Sequence, residues 1–119
     1  MSMHYRIDRE TVFTTAEGVC TDTDLQEHLA ELTNDPNFKP FLNQLIDLRD
    51  VTSWKLTTSA FREAARGAPF GEGSRRAFIV AKDVTYGMAR MYQMLTDEDP
   101  AKVSVFRDIV EANEWLGLE

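Results

Sequence analysis

Apolar and polar positions alternate in two segments near the start of the chain. Tyr5 and Ile7 alternate with polar neighbours in "HYRID", and Val12 and Phe13 stand beside paired threonines in "TVFTTAEGVCT". This pattern is typical of strands, because β-branched and aromatic side chains pack well on a pleated surface. We predict two strands joined by a tight link at "RE", with Gly18 marking a bend or bulge near the end of the second strand.

The next segment, "TDTDLQEHLAELTND", has the periodicity of a helix. Leu25, Leu29 and Leu32 follow one another at spacings of four and three, which places them on one face. Thr21 or Thr23 can accept hydrogen bonds from the free amides of the first turn, and acidic residues there favour the positive end of the helix dipole. The sequence therefore predicts an amphipathic first helix.

The segment "FLNQLIDLRDV" predicts the central strand. Leu45, Ile46 and Leu48 form an apolar run of the kind found where both faces of a sheet are covered. A second helix is expected over residues 58–67, and its inner stripe is mostly small, which lets a helix approach a sheet closely. The residues predicted for that stripe are Phe61, Ala64, Ala65 and Ala68.

Strand and helix patterns alternate through the rest of the chain. "AFIVA" and "KVSVF" are typical of strands, and a third helix is predicted from Thr85 to Leu95. "TDEDP" predicts the terminus of that helix and a turn, since it lacks the ligand spacing of a calcium loop. A closing helix is predicted to begin at Asp108 and end at Gly117. The alternation indicates a single α/β domain over residues 1–119, with parallel strands and an opening pair that makes the sheet mixed.

The third helix, "YGMARMYQML", is rich in methionine and tyrosine. At about 100° per residue, four of its large side chains fall within one third of the circumference, which predicts a stripe that faces the core. Tyr86 and Met94 lie outside that arc and are candidates for a surface that contacts a ligand or partner, because Met adapts its shape and Tyr has a polar tip. The predicted core stripe comprises Met88, Met91, Tyr92 and Leu95.

Composition and charge restrict the class of protein. Hydrophobic residues make up 43% and charged residues 28%, a balance typical of a soluble globular domain. The net charge of −7 argues against nucleic-acid binding and against an anionic membrane surface. Cys20 is the single cysteine, so a reducing compartment is expected. With no signal-peptide pattern and no apolar run long enough to span a bilayer, we predict a cytoplasmic protein without an integral membrane segment.

The sequence contains no recognisable catalytic or metal-binding pattern. His4 lies in the first strand and His28 is predicted on the flank of the first helix, and neither has the spacing of a zinc or iron site. Asp47, Arg49 and Asp50 form a polar cluster at the predicted end of the central strand, where a solvated cluster is the simpler interpretation than acid–base chemistry. We predict no cofactor, no metal and no enzymatic activity, and Cys20 is interpreted as a small buried residue.

Three segments resemble a known family. "IDLRDV" at the end of the central strand, "RRAFIVA" entering "YGMARMYQM", and "VSVFRDIVEANEWL" at the close are similar to the SpoIIAA-like bacterial proteins, which are related to STAS domains. The resemblance covers nearly the whole chain. It implies a mixed sheet of about five strands, with about four helices packed largely on one face.

STAS proteins are partner-binding switches that are controlled by phosphorylation of a serine at a helix start. The corresponding region here, "DVTSWKLTTSAF", lacks that family motif. Thr57, Thr58 and Ser59 are the candidate phosphosite, since helix N-termini favour negative charge. The alternative is a plain N-cap, because Thr and Ser are favoured there regardless of regulation.

These observations leave three hypotheses. The first is a non-enzymatic regulatory or protein-interaction module whose partner is unidentified, and the second is a small carrier of an apolar or lipid-like ligand in a pocket lined by the helix at 84–95. The third is an enzyme that uses the cluster around Asp47. A homodimer formed through Tyr86, Met94 and Trp115 is also predicted as an arrangement to test. The candidate ligand or partner surface comprises Trp54, Tyr86, Met88, Met91, Tyr92, Met94 and Trp115.

Overall fold

The computed structural model describes residues 2–96 and 102–118. Strands and helices alternate after an opening pair of strands, as predicted. The strands are β1 (Met3–Asp8), β2 (Thr11–Thr21), β3 (Asn43–Lys55), β4 (Arg76–Ile79) and β5 (Val103–Phe106). The helices are α1 (Asp22–Asn34), α2 (Thr58–Arg66), α3 (Asp83–Leu95) and α4 (Ile109–Leu116). Most of "TDEDP", predicted as a helix terminus and turn, lies outside the described residues.

The five strands form one mixed sheet in the order β1-β2-β3-β4-β5. β1 runs antiparallel to β2, and the remaining neighbours are parallel. The two strands of the opening pair are joined by Arg9 and Glu10, with φ angles of 49° and 60°. Two successive left-handed residues match the twist of a hairpin. Gly18 has a φ of 67° beside a register shift, which confirms the predicted bulge.

The helices divide unequally between the two faces of the sheet. Ile46 and Phe78 point toward α1, α2 and α3, whereas Leu45 and Ile79 point toward α4. This division follows from the period of two along each strand, which sends successive side chains to opposite faces. The predicted arrangement of helices largely on one face is confirmed.

Helix starts follow the capping chemistry of the sequence. Thr21 caps α1 and forms a reciprocal pair with Asp24, so the first of the two predicted threonine caps is the correct one. Asp108 caps α4, which ends at Gly117 in the left-handed conformation, as predicted. α3 begins at Asp83, two residues earlier than predicted.

The predicted core stripe of α3 is partly wrong. Tyr92 is buried, but Met91 is 51% exposed, and the helix turns Thr85 and Ala89 toward the sheet instead. The small side chains of Thr85 and Ala89 let α3 lie close to the sheet. The larger Met88 then lies at the edge of the contact between α3 and the sheet, where it is half-buried. Counting apolar side chains could not show this, because the small residues make the closest contact.

Candidate functional site

A cavity of about 80 Å³ lies between the sheet and the three helices α1, α2 and α3. Most of its walls are apolar. Four polar side chains interrupt them, namely Thr14 from β2, Gln44 from β3, Arg76 from β4 and His28 from α1, and all four are nearly inaccessible to solvent. The apolar side chains of the walls include Met3, Leu25, Leu29, Ile46, Leu48, Trp54, Leu56, Phe61, Phe78, Met88 and Tyr92.

The strand register brings the polar side chains together. Gln44 and Arg76 are direct partners across β3 and β4, and Thr14 lies one inward-facing position further along β2. His28 reaches them from α1, where it lies four residues before the buried Leu32. The predicted position of His28 on the helix flank is therefore wrong, because the helix face that contains Leu32 also turns His28 inward.

The four side chains form a chain of hydrogen bonds. Arg76 Nε donates to Gln44 Oε1 at 2.9 Å, and Gln44 Nε2 donates to Thr14 Oγ1 at 3.0 Å. Thr14 Oγ1 lies 3.4 Å from His28 Nε2. An arginine can only donate, so the amide oxygen of Gln44 must face it and the amide nitrogen must face Thr14. Thr14 Oγ1 and His28 Nε2 share one hydrogen, and the tautomer of the imidazole decides which of the two donates it.

The electrostatics of the cavity follow from burial and from Arg76. Burial, together with the positive charge of Arg76, lowers the pKa of His28 to about 4, so the imidazole is neutral at pH 7. The guanidinium carbon of Arg76 lies 4.7 Å from the ring centre of Phe70 and 5.1 Å from that of Tyr92. Aromatic faces attract a cation and help to accommodate this charge inside the protein.

Cys20 also lines the cavity. Its side chain is buried at the end of β2, which agrees with the interpretation as a small buried residue. Burial raises the pKa of its thiol. A protonated thiol is a poor nucleophile, so the geometry gives Cys20 a packing role.

Three of the sequence-predicted ligand residues meet at this cavity. Trp54, Met88 and Tyr92 line it, and Trp54 Nε1 donates to Thr85 Oγ1 at 3.1 Å, which fixes the indole. Met91, which was expected beside them, lies outside the walls because its side chain points to solvent.

The remaining surface candidates are spread over the molecule. Tyr86 packs under the guanidinium of Arg107, whose carbon lies 4.7 Å from the ring centre, and Met94 is 77% exposed. Trp115 packs against Phe106 on the opposite face of the sheet. The structure therefore does not bring Tyr86, Met94 and Trp115 onto one surface.

Thr57 is the N-cap of α2. Its hydroxyl accepts from Ala60 N at 3.2 Å and donates to Asp22 Oδ2 at 2.8 Å. A phosphate on Thr57 would displace both bonds and lie beside the Asp22 carboxylate, which disfavours modification there. Thr58 and Ser59 are exposed in the first turn and keep the phosphosite hypothesis open.

The cluster of Asp47, Arg49 and Asp50 lies in the middle of β3, because that strand continues to Lys55. Its predicted position at a strand end is wrong. Arg49 Nε and Nη2 donate to the two carboxylate oxygens of Asp47 at 2.9 and 2.8 Å, and these bonds lower the pKa of Asp47. Asp47 and Arg49 thus satisfy each other's hydrogen-bonding groups on the face of the sheet opposite the cavity, as expected for a structural ion pair.

A wider groove of about 870 Å³ runs along the end of α2 and the glycine-rich loop to Lys102. Its walls include Glu72 and Gly73. The cavity under α1, α2 and α3 is the better candidate site because its walls are mostly apolar with a few polar side chains among them. Among the described residues, no group of three metal-ligating side chains comes together, and no helix is long and apolar enough to cross a membrane.

The fold has a counterpart among solved structures. The chain is similar to an uncharacterized protein of the DUF3478 family from Shewanella loihica PV-4, whose crystal structure at 2.25 Å has a SpoIIAA-like fold. The TM-score is 0.61, and the match covers 96% of this chain and 91% of that one at 20% sequence identity. The fold is SpoIIAA-like. No family model and no curated protein matches the sequence.

The SpoIIAA-like fold does not itself identify the polar residues of the cavity, and sequence reasoning missed three of them. Gln44 and Arg76 occupy the inward positions of strands that were read only for their apolar runs, "NQLIDL" and "RRAFIV". Period-two alternation places Gln44 on the same face as Ile46, and Arg76 on the same face as Phe78. A polar residue on the face of a strand that is otherwise buried was the signal in the sequence that could have indicated these site residues.

Proposed function

We propose that the protein is a non-enzymatic binding module that takes a small apolar or amphipathic molecule into the cavity under α1, α2 and α3. The observation that carries this proposal is the hydrogen-bonded set of Thr14, His28 and Gln44 beside apolar walls. Burying polar groups costs free energy, and a few such groups in an apolar pocket are typical of sites that orient a ligand. This favours the carrier hypothesis, with Met91 removed from its walls.

The size of the cavity limits the ligand. Its volume is about 80 Å³, whereas an engineered apolar cavity of about 150 Å³ takes up benzene. Leu25, Leu56 and Met88 are only half-buried, so a longer apolar chain can extend past them toward the surface. We therefore expect a compact ligand or one end of a longer one.

A matched pair of substitutions tests whether the cavity is the binding site. Ala89→Leu fills the cavity from α3, and Ala30→Leu makes the same change on the exposed side of α1. We expect hexan-1-ol to shift the amide NMR signals of cavity residues in the wild type and in Ala30→Leu. In Ala89→Leu those shifts should fall by about tenfold, because the apolar space is occupied.

Native mass spectrometry of the purified wild type adds an independent measurement. A small molecule retained by the wild type and by Ala30→Leu, but not by Ala89→Leu, would support the proposal. If the wild type retained nothing and hexan-1-ol left the cavity signals unmoved up to millimolar concentrations, the proposal would be wrong.

A second candidate, a regulatory protein-interaction module, is favoured by one observation. Val84, Met91 and Met94 are 65%, 51% and 77% exposed along one side of α3. Exposed large apolar residues grouped in this way are characteristic of protein contacts. We expect Met91→Glu combined with Met94→Glu to abolish recovery of a partner or a homodimer, whereas Val110→Glu on α4 should not. Equal recovery by both variants would contradict this candidate.

A further inference from the structure

A second space lies next to the cavity. It is a groove of about 440 Å³ between the end of β3 and the start of α3, and we call it the outer groove. Trp54, Leu56 and Met88 line both the cavity and the outer groove, and all three are half-buried. These three side chains therefore form the wall between the two spaces. The other residues that line the outer groove are Val51, Thr52, Ser53, Lys82, Val84 and Thr85.

The wall between the two spaces can open on one side. Trp54 is held by the hydrogen bond from its Nε1 to Thr85 Oγ1 at 3.1 Å, whereas Leu56 and Met88 have no polar group that could anchor them. A methionine side chain is unbranched and flexible, so it adapts its shape easily. A slender apolar chain can therefore pass between Leu56 and Met88 once Met88 changes its rotamer.

The outer groove carries a positive charge. Lys82 is its charged side chain among the residues described, and Lys82 Nζ donates to Val51 O at 3.0 Å. An ammonium group has three hydrogens, so two remain for other acceptors. The neighbouring carboxylate of Asp83 accepts from Arg107 Nη2 at 2.8 Å, and in the described part of the chain no carboxylate pairs with Lys82. The outer groove thus favours an anionic group over a cationic one.

We propose that the outer groove is a second subsite, which takes the anionic end of a ligand whose unbranched apolar part occupies the cavity. This inference rests on the proposed function and extends it, since the cavity of about 80 Å³ then holds one end of a longer molecule. The chain passes between Leu56 and Met88, and its anionic group accepts hydrogen bonds from Lys82. The inner end of the chain stops at the hydrogen-bonded Thr14 and Gln44, which set its depth.

Amide NMR signals test whether a ligand spans both spaces. We expect octanoate to shift the signals of Ile46 and Leu48 in the cavity and those of Thr52 and Ser53 in the outer groove. Hexan-1-ol is shorter and uncharged, so its shifts should be concentrated in the cavity. Octanoate shifts confined to one of the two spaces would show that the ligand does not span them, and the inference would be wrong.

Reversing the charge of Lys82 tests the subsite directly. Lys82→Glu should lower the ratio of octanoate affinity to octylamine affinity by at least about tenfold, because an attraction becomes a repulsion. Octan-1-ol binding should change by less than about twofold, since the hydroxyl is neutral. Lys82→Arg keeps the cation and should retain octanoate binding within about twofold. The matched control is Lys39→Glu, the same charge change at an exposed residue that lines neither space, which should preserve the ratio.

The outcomes separate the inference from the proposed function. If hexan-1-ol shifts the cavity signals but Lys82→Glu leaves the ratio unchanged, the subsite inference is wrong and the proposed function stands. If no probe shifts the cavity signals of the wild type, both are wrong. Should Lys82→Glu fail to fold, Lys82→Gln removes the charge at the same position and should weaken octanoate binding by about threefold, with octan-1-ol binding unchanged.

Discussion

The two faces of the sheet are buried by different means. Under α4, the sheet presents Leu45, Ala77 and Ile79, which pack directly against the helix. Under α1, α2 and α3, the centre of the sheet presents Gln44 and Arg76, and a cavity remains between the layers. Apolar contacts hold α4 on the sheet, together with a hydrogen bond that Arg75 Nη1 donates to Trp115 O at 2.7 Å. On the cavity face the polar side chains lie within the apolar layer, and we propose ligand recognition as the reason for their presence.

The largest expected difference between the faces concerns tolerance to added volume. Ala77→Leu inserts atoms into the closed face and should destabilise the protein by about 3 kcal/mol, since overpacking forces shifts of backbone and side chains. Ala89→Leu on α3 extends into the cavity and should change the free energy of unfolding by less than about 1 kcal/mol. Urea denaturation followed by circular dichroism measures both.

If Ala77→Leu does not fold, Ala77→Val provides a milder change at the same position. Equal destabilisation by Ala77→Leu and Ala89→Leu would contradict the difference in packing between the faces.

The buried histidine should make the cavity face sensitive to acid. The pKa of His28 is about 4 in the folded protein and about 6.5 in an unfolded chain. Between these values the unfolded state binds more protons, so stability falls as the pH decreases from about 6.5 to about 4. The loss attributable to His28 should be about 2 to 3 kcal/mol.

Denaturation at several pH values isolates this effect, because the carboxylates titrate in every variant. His28→Gln should remove the additional acid sensitivity, whereas His4→Gln, at an exposed position in β1, should retain it. A wild type and a His28→Gln variant with the same pH dependence would show that His28 does not carry the effect.

Thr14 and Thr15 are adjacent in β2 and lie on opposite faces of the sheet, so the same substitution can be compared in a buried and an exposed environment. Thr14→Val removes the hydrogen-bond partner of both the Gln44 amide and His28, and should cost about 2 kcal/mol because buried groups lose their partners. Thr15→Val lies on the exposed side of β2 and should cost less than about 0.5 kcal/mol. Thermal unfolding resolves the difference, and similar melting temperatures would contradict the importance of the buried chain.

The smallest effect is expected for the ion pair on the open part of the α4 face. Asp47→Asn weakens the two bonds from Arg49, but Arg49 is exposed, so solvent screens the charges and the cost should be about 0.5 kcal/mol. The difference should shrink further in about 1 M salt. A loss as large as that of Thr14→Val would show that this face also depends on polar pairing.

Much of the fold was predictable from local patterns. The apolar run at Leu45 to Leu48, the leucine spacing of α1 and the caps at Thr21 and Asp108 each report a constraint that acts within a few residues. The alternation of strands and helices then fixed the α/β class. The predicted elements form in the folded chain because the local preferences of these residues are consistent with their tertiary packing.

The site was less predictable, because it depends on which residues face one another across strands. Gln44 and Arg76 are 32 positions apart in the chain and adjacent only through the pairing of β3 with β4. Met91 was misplaced because the rotation of α3 is decided by Thr85 and Ala89. The continuation of β3 from Asp50 to Lys55 was also not predicted, because the polar residues Asp47, Arg49 and Asp50 resemble the end of a strand.

The strand order of the sheet has a consequence for how the chain is made. Every strand pairs with its neighbour in the sequence, so no strand has to be threaded between two others that are already joined. During translation the sheet can grow from one edge by successive addition as each segment leaves the ribosome.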